Sequence, residues 1–357
     1  MEILIPYYNI DEIDFYYHLI GSLNKILGGR VHITYVVGEV RDELSREYRL
    51  HELNFLSSMK GKTLKSYLYK NRIYEQLKNV SIDVIFVISD LWALELSCYC
   101  STKLGIPYVV WMRGDHREVR KIRKINWLKR IIANYFEMRY LNKASLVIPN
   151  CMSLYEKLYR WGIERDKITK PVHNGVDCEV FKPLNIPRSD KFTIGFAGRI
   201  CLEKRVDELL RIAKKLKNED IRLTVAGPKV MDITFPENVQ YLGRLPFLEM
   251  PKFYNAIDLL VLPSATEGFP SVILEAYACE KPVLASKEAF PKELKIFGAV
   301  TDLKEFESEI LRLKREDNLR EIGKEARDYV KENFNWKNFA SQIMVYLESA
   351  KNSSRRE

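Results

Sequence analysis

The feature that most limits how this chain can fold is an alternation that runs through it twice: short apolar runs separated by longer segments with helical periodicity. Apolar runs bounded by turn residues read as strands buried in a parallel sheet, and the intervening amphipathic stretches as the helices that cover it. In the first half the strand candidates are Glu2 to Pro6, Val31 to Val37, Asp83 to Ser89, Tyr108 to Arg113 and Ser145 to Pro149. Helical patterns lie at Asp14 to Leu27, Leu64 to Lys78, Leu91 to Leu104, Asn126 to Asn142 and Cys151 to Trp161. The second half repeats the plan, with strands at Phe192 to Phe196, Arg222 to Ala226, Val239 to Tyr241, Leu259 to Leu262 and Pro282 to Ala285, and an amphipathic helix at Val206 to Leu216. Leu319 to Glu348 is helical by pattern.

This predicts an α/β chain of two Rossmann-like domains. The expected division is residues 1–170, then 171–335, a crossover helix over 336–350 that returns to the first domain, and a polar, disordered tail over 351–357. The boundary follows from His173 to Pro183 and the polar stretch Asn185 to Asp190. Sheets of this kind hold ligands at the carboxyl ends of their strands. Attention therefore falls on the segments after Pro6, Ser89 and Arg113 in the first half, and on Gly198, Arg199, Lys204 and Arg205 in the second. A phosphate contact is the natural use of cations at a strand's carboxyl end beside a helix start; a pair of surface basics is the alternative.

One local pattern carries more chemistry than the rest. Glu267 and Glu275 stand eight residues apart across Gly268-Phe269-Pro270-Ser271, a loop leading from the strand ending at Leu262 into a helix that starts near Pro270. Proline is tolerated in a first helical turn, and the unpaired amides of Ser271, Val272 and Ile273 at a helix N-terminus favour an anion. That makes a phosphate seat, with one carboxylate in reach of a sugar hydroxyl and the other of a ribose hydroxyl. The spacing alone leaves open a plainer arrangement in which Glu267 caps the helix and Glu275 is solvated.

Composition narrows the class. The 357 residues, 46% hydrophobic and 29% charged with a net charge of +9, suit a globular protein with an anionic partner. No run approaches the roughly 20 apolar residues of a membrane span and no leader pattern precedes Ile3, so a cytoplasmic location is expected. The six cysteines, scattered apart from one C-x-C at Cys98 and Cys100, read as buried thiols rather than a zinc site. No G-x-G-x-x-G follows the first strand of either half, which disfavours a dinucleotide oxidoreductase. The stretch Arg117 to Arg130 interleaves seven Lys and Arg residues with Val119, Ile122, Ile125, Trp127 and Leu128. It is a candidate for an anionic membrane surface, against the alternative of a solvated helix face. Nucleic acid is disfavoured, because no recognition motif accompanies the charge.

Several segments, in order, resemble one known family. They are Ala144 to Ile148; His173-Asn174-Gly175-Val176-Asp177 with Phe181 and Pro183; Phe196-Ala197-Gly198-Arg199 with Glu203-Lys204; and Ala226-Gly227-Pro228. Val239 to Gly243, Pro263-Ser264, the E-x7-E run from Glu267 to Glu275, Lys281-Pro282-Val283 and Phe334-Asn335-Trp336 continue the series. Over most of residues 140 to 345 the chain is similar to the retaining glycosyltransferases of family four (glycosyl transferases group 1). The resemblance implies a GT-B fold, two facing Rossmann-like domains with a C-terminal helix crossing back to the first. It also implies transfer of a hexose-type sugar from a nucleotide-sugar donor, with UDP or GDP as carrier, to a lipid-linked or glycan acceptor in polysaccharide or glycolipid synthesis. Arg199, Lys204 and Glu267 would be catalytic. Gly198, Gly227, Gly243, Arg244, Leu245, Gly268, Phe269, Pro270, Ser271, Val272 and Glu275 would bind the donor, with Glu275 on the ribose, Gly243 to Leu245 facing the base, and Glu267 with the backbone of Gly268 to Ser271 meeting the sugar. No D-x-D motif occurs, so neither a metal nor another cofactor is expected and the cations would do a divalent metal's work.

The first domain departs from the family pattern. Pro6-Tyr7-Tyr8-Asn9 stands where a glycine-rich loop is usual, and Arg113-Gly114-Asp115-His116 where His-Gly is usual, leaving Arg113, Asp115 and His116 as acceptor or acid/base candidates. Glu280 replaces the glycine usually found before the Lys-Pro-Val strand. Two other readings fit a GT-B scaffold, a nucleotide-sugar epimerase or hydrolase and a non-catalytic binding protein.

Overall fold

A computed structural model describes residues 1–6, 17–35, 49–52, 70, 71, 73–88, 90–187 and 189–354. Tyr7, Tyr8 and Asn9, residues 64–69 and 72 of the helix expected over Leu64 to Lys78, and residues 355–357 lie outside these; residues 73–77 are helical as expected.

The chain divides into two compact units, the first comprising Met1–Gly114, Asn126–His173 and Trp336–Glu357, the second Asp115–Ile125 and Asn174–Asn335. Among the described residues the first contains six strands, β1 (Ile3–Pro6), β2 (Val31–Tyr35), β3 (Arg49–Glu52), β4 (Val84–Ile88), β5 (Tyr108–Met112) and β6 (Leu146–Pro149). They are parallel, in the order β3-β2-β1-β4-β5-β6. Every side chain of β1, β4 and β5 is buried, as a parallel sheet covered on both faces requires. The helices of this part of the chain are α1 (Tyr17–Leu27), α2 (Leu91–Leu104), α3 (His116–Ile122), α4 (Trp127–Lys143) and α5 (Met152–Arg160), of which α3 clusters with the second unit. Asp90 starts α2 by accepting from the Trp92 amide at 2.8 Å, and Gly105, at φ +65°, ends it.

The second unit repeats the topology. Its strands are β7 (Phe192–Ala197), β8 (Ile221–Ala226), β9 (Val239–Tyr241), β10 (Leu259–Leu262), β11 (Val283–Ser286) and β12 (Gly298–Thr301), in the order β12-β11-β10-β7-β8-β9. Counted from its own first strand, each sheet runs 3-2-1-4-5-6, the doubly wound order whose direction reverses beside strand 1. For the second unit that places the crevice at the carboxyl ends of β7 and β10. Helices α6 (Val206–Lys215), α7 (Met250–Asn255), α8 (Ser271–Ala278), α9 (Phe306–Lys314) and α10 (Leu319–Asn333) complete it.

Three sequence expectations need correction. Among the described residues each sheet has six strands rather than five: β3, Arg-Leu-His-Glu, and β12, Gly-Ala-Val-Thr, are edge strands that pair there on one side only, so neither shows the apolar run of a central strand. The helix expected over Leu319 to Glu348 is two helices. It breaks at Phe334 and Asn335, where the Val176 amide donates to the Phe334 carbonyl at 2.9 Å and Phe334 packs on Phe269 with ring centroids 5.5 Å apart. The second piece, α11 (Trp336–Ser354), belongs to the first unit and buries Phe339, Ala340, Ile343, Leu347 and Ala350 against Ile20, Leu23 and Leu27 of α1. Finally, α11 runs to Ser354 where a tail was expected from 351. Lys351 pairs with Asp83 at 2.8 Å and holds the last turn. All six cysteines are free thiols, and five are buried.

Candidate functional site

The second unit gathers most of the residues singled out by sequence. Gly198, Gly227 and Gly243 follow β7, β8 and β9 with φ of +146°, +141° and +70°. The Gly198 amide donates to Ala226 O at 2.9 Å and the Gly227 amide to Gly243 O at 2.7 Å. A Cβ on Gly227 would stand 1.9 Å from the Gly198 carbonyl oxygen. These glycines let three strand ends meet backbone to backbone, a reason for them that is independent of any ligand. Just beyond, Arg244 is exposed and Leu245 half-buried.

The loop after β7 makes a 3-10 turn over Leu202–Lys204, and Arg205 leaves it at φ +49°. This turn drives Glu203 inward, to 2% exposure. Arg123, at the end of α3, reaches it with two bonds, Nε to Oε2 at 3.0 Å and Nη2 to Oε1, while Arg199 Nη2 stands 3.5 Å from that same Oε1. Burial pushes the Glu203 carboxyl up, but the Arg123 bonds and its own backbone amide outweigh this and hold it down at about 2. Lys204 is ion-paired with Glu267, both largely buried, and Arg205 with Glu288 at 3.8 Å.

The E-x7-E run takes up the next loop. Asn174 Nδ2 donates to Phe269 O at 2.7 Å, tying the His173–Asp177 segment to this loop, and the buried Phe269 ring faces the core. Pro270 is the residue before α8, and no side chain caps the helix. Glu267 therefore does not cap; it holds Lys204. The Ile273 amide, expected to be open to an anion, donates to Pro270 O at 3.2 Å, which leaves Ser271 and Val272 at the head of α8. Glu275 is not solvated. It is 8% exposed and accepts a 2.6 Å bond from the hydroxyl of Tyr254 on α7. Burial raises its carboxyl to about 7, against the hydrogen bonds of Tyr254 and Ser271 that favour the charged form. Burial and the adjacent carboxylate push the Tyr254 hydroxyl up, so it remains a donor.

Of the acceptor candidates, Arg113 lies near the end of the first unit's opening segment, its guanidinium 5.2 Å from the centre of the Trp111 ring, and Asp115 and His116 open the first segment of the second. Asp115 is buried and accepts from the Glu118 amide at 2.8 Å, so its carboxylate caps α3. His116 opens that helix. The basic stretch 117–130 is not one amphipathic helix. It falls on α3 and α4, in different units, with Arg123 turned to Glu203 and Arg117 and Arg120 also engaged. Exposed apolar surface runs from the end of this stretch along α4, at Trp127, Leu128, Ile131, Ile132, Tyr135 and Phe136.

Sequence reasoning missed three contributors: Arg123, Glu203 as a buried anchor, and Tyr254. The first two are separated by 80 residues, and nothing local signals their pairing.

Comparison with known proteins decides the family. Residues 179–329 match the model for glycosyl transferases group 1 and residues 16–180 the model for Glycosyltransferase Family 4, so together they span nearly the whole chain. The chain belongs to the family-four, group 1 glycosyltransferases. It is 35% identical over 144 residues to D-inositol 3-phosphate glycosyltransferase 1 of Catenulispora acidiphila, covering 32% of this chain and 34% of that one. It is 30% identical over 182 residues to alpha-galactosylglucosyldiacylglycerol synthase of Streptococcus pneumoniae, covering 44% and 48%. The chain thus spans between a third and a half of the length of these curated relatives. The crystal structure of Anabaena HepE in complex with UDP and glucose superposes with a TM-score of 0.76 at 18% identity, over 98% of this chain and 100% of that one. Two units of this strand order in a family-four glycosyltransferase are the GT-B fold. Among the described residues no helix is long and apolar enough to cross a membrane.

Proposed function

We propose that this chain transfers a hexose-type sugar from a nucleoside-diphosphate donor to an acceptor, with retention of configuration and without a metal ion. What carries the reading is one arrangement in the second unit: exposed Arg199 and the Lys204–Glu267 pair follow and face the strand ends of β7 and β10, with buried Glu275 inside α8. As the bond from sugar to phosphate breaks, the departing nucleoside diphosphate gathers negative charge. Cations and helix-head amides already in place stabilise that charge without reorganising. Arg199, Lys204 and the amides of Ser271 and Val272 fill this role. Lys204 passes from Glu267 to the phosphate, and Glu267 turns to a sugar hydroxyl. Glu275 accepts from the ribose, and the backbone of Gly243 to Leu245 meets the base. The UDP and glucose bound to the Anabaena protein make UDP-glucose the first donor to try.

The similarity to a synthase of alpha-galactosylglucosyldiacylglycerol, a glycolipid, supports a lipid-linked acceptor. So does the apolar face of α4, bordered by exposed Lys129 and Arg139, which suits peripheral attachment to an anionic cytoplasmic membrane face. Co-sedimentation with phosphatidylglycerol vesicles, reduced by Trp127→Glu, tests that attachment. Product analysis tests the transfer: sugar should move only when an acceptor is supplied. Epimerised or hydrolysed sugar from donor alone would favour the epimerase or hydrolase reading.

A further inference from the structure

Glu203 is shared by two arginines, and the sharing is unequal. Arg123 supplies a fork of two bonds, one to each carboxylate oxygen, whereas Arg199 reaches only Oε1 and only to 3.5 Å. A charge-assisted bond is made at roughly 2.7–2.9 Å, so Arg199 is held in place by attraction without being bonded. Their surroundings match this division: Glu203 is 2% exposed, the Arg123 side chain 33% and the Arg199 side chain 55%. A buried carboxylate needs a cation close by. With Arg123 in place that need is met, and the Arg199 guanidinium faces solvent.

We infer that Arg123 is a positioning residue for Arg199: by saturating Glu203 it prevents the buried acid from capturing the arginine that binds the donor diphosphate. Without Arg123, Arg199 is the nearest cation. Its long side chain closes the remaining distance, forms its own fork with Glu203, and is lost to the ligand. The device spans 80 residues of sequence and links α3 to the turn after β7. It rests on the donor site proposed above, where Arg199 binds diphosphate.

The test is calorimetric titration of UDP, GDP and ADP into the full-length wild-type chain and into R199A, R123A, R123A/E203Q, R123K and R123K/E203Q, each checked for a cooperative melt. Losing one charged bond to phosphate corresponds to a drop in affinity of about 10- to 100-fold. R123A is expected to match R199A in this loss. Adding E203Q removes the charge that captures Arg199 and is expected to return affinity to near the wild-type value. If R123A does not fold, the R123K pair makes the same comparison, since a lysine cannot form the two-bond fork. Wild-type affinity in the Arg123 variants alongside weak binding by R199A overturns the inference. So does a double variant as weak as its parent, which would mean general damage at the turn. Wild-type affinity in R199A itself instead overturns the proposed donor site.

Discussion

Glu203 and Glu275 lie in the same unit and are similarly shut away from water, at 2% and 8% exposure, yet the fold treats them in opposite ways. Glu203 meets the two-bond fork of Arg123 and is held ionised, its carboxyl near 2. Glu275 meets the hydroxyls of Tyr254 and Ser271, which offset burial only in part and leave its carboxyl near 7. A fixed guanidinium makes a carboxylate a permanent anchor. Hydroxyls alone leave it poised, and two further hydroxyl donors from a ribose would complete its shell in the charged form. In the proposed donor site one glutamate would fix the surrounding arginines and the other would wait for the ribose.

The contrast can be broken in four places, taken here from the largest expected effect. Removing both arginines, Arg123→Ala with Arg199→Ala, strands the buried charge of Glu203 and is expected to cost about 3–5 kcal/mol in urea unfolding, much of it regained by adding Glu203→Gln; a loss under 1 kcal/mol would mean that Glu203 does not depend on a paired arginine. Glu275 predicts a pH effect of the opposite sign. Its carboxyl is near 7 folded and 4.5 otherwise. Between these values the folded state holds a proton that the unfolded state has released, so this group's contribution falls as pH rises from about 4.5 to 7. At about 1.4 kcal/mol per pKa unit the decline is on the order of 3 kcal/mol. Glu275→Gln should remove that much of the slope, and a difference between wild type and variant that stays flat across pH 4.5–7 contradicts the assignment.

Tyr254→Phe deletes the 2.6 Å bond to Glu275. The expected cost is about 1–3 kcal/mol at pH 8, where the unsatisfied acceptor is charged, and less at pH 5. An equal cost at both pH values would mean that Tyr254 serves packing alone. The smallest effect is at Glu280, a non-glycine residue at φ +59°. Glu280→Gly should relieve this strain and raise stability by about 0.5–1 kcal/mol after the entropy glycine adds to the unfolded chain. A lowered Tm would show that the side chain has a role of its own.

How much of this was legible in sequence depended on distance along the chain. Glu267, Pro270 and Ser271 to Glu275 announced a loop and helix head because all the parts are neighbours, and the central strands announced themselves by unbroken apolar runs. Edge strands β3 and β12 did not, since a strand with one partner needs no such run. The break between α10 and α11 was hidden because helical periodicity continues across Phe334 and Asn335; tertiary contacts with Val176 and Phe269 decide it. Arg123 read as one more cation in a basic stretch because its partner lies far off in sequence. That Asp115 caps α3 was hidden because a helix cap and a carboxylate set aside for an acceptor look alike until the helix is seen.

The central claim is that the second unit holds a nucleoside diphosphate through Arg199 at one end and Glu275 at the other. Isothermal titration of UDP, GDP and ADP at pH 8 tests it directly, with wild type beside Arg199→Ala and Glu275→Ala. Wild type is expected to bind at least one of the three, and each substitution to weaken that binding about tenfold or more, as losing a charged hydrogen bond would. Binding of equal strength in all three proteins, or no binding by wild type, would contradict it.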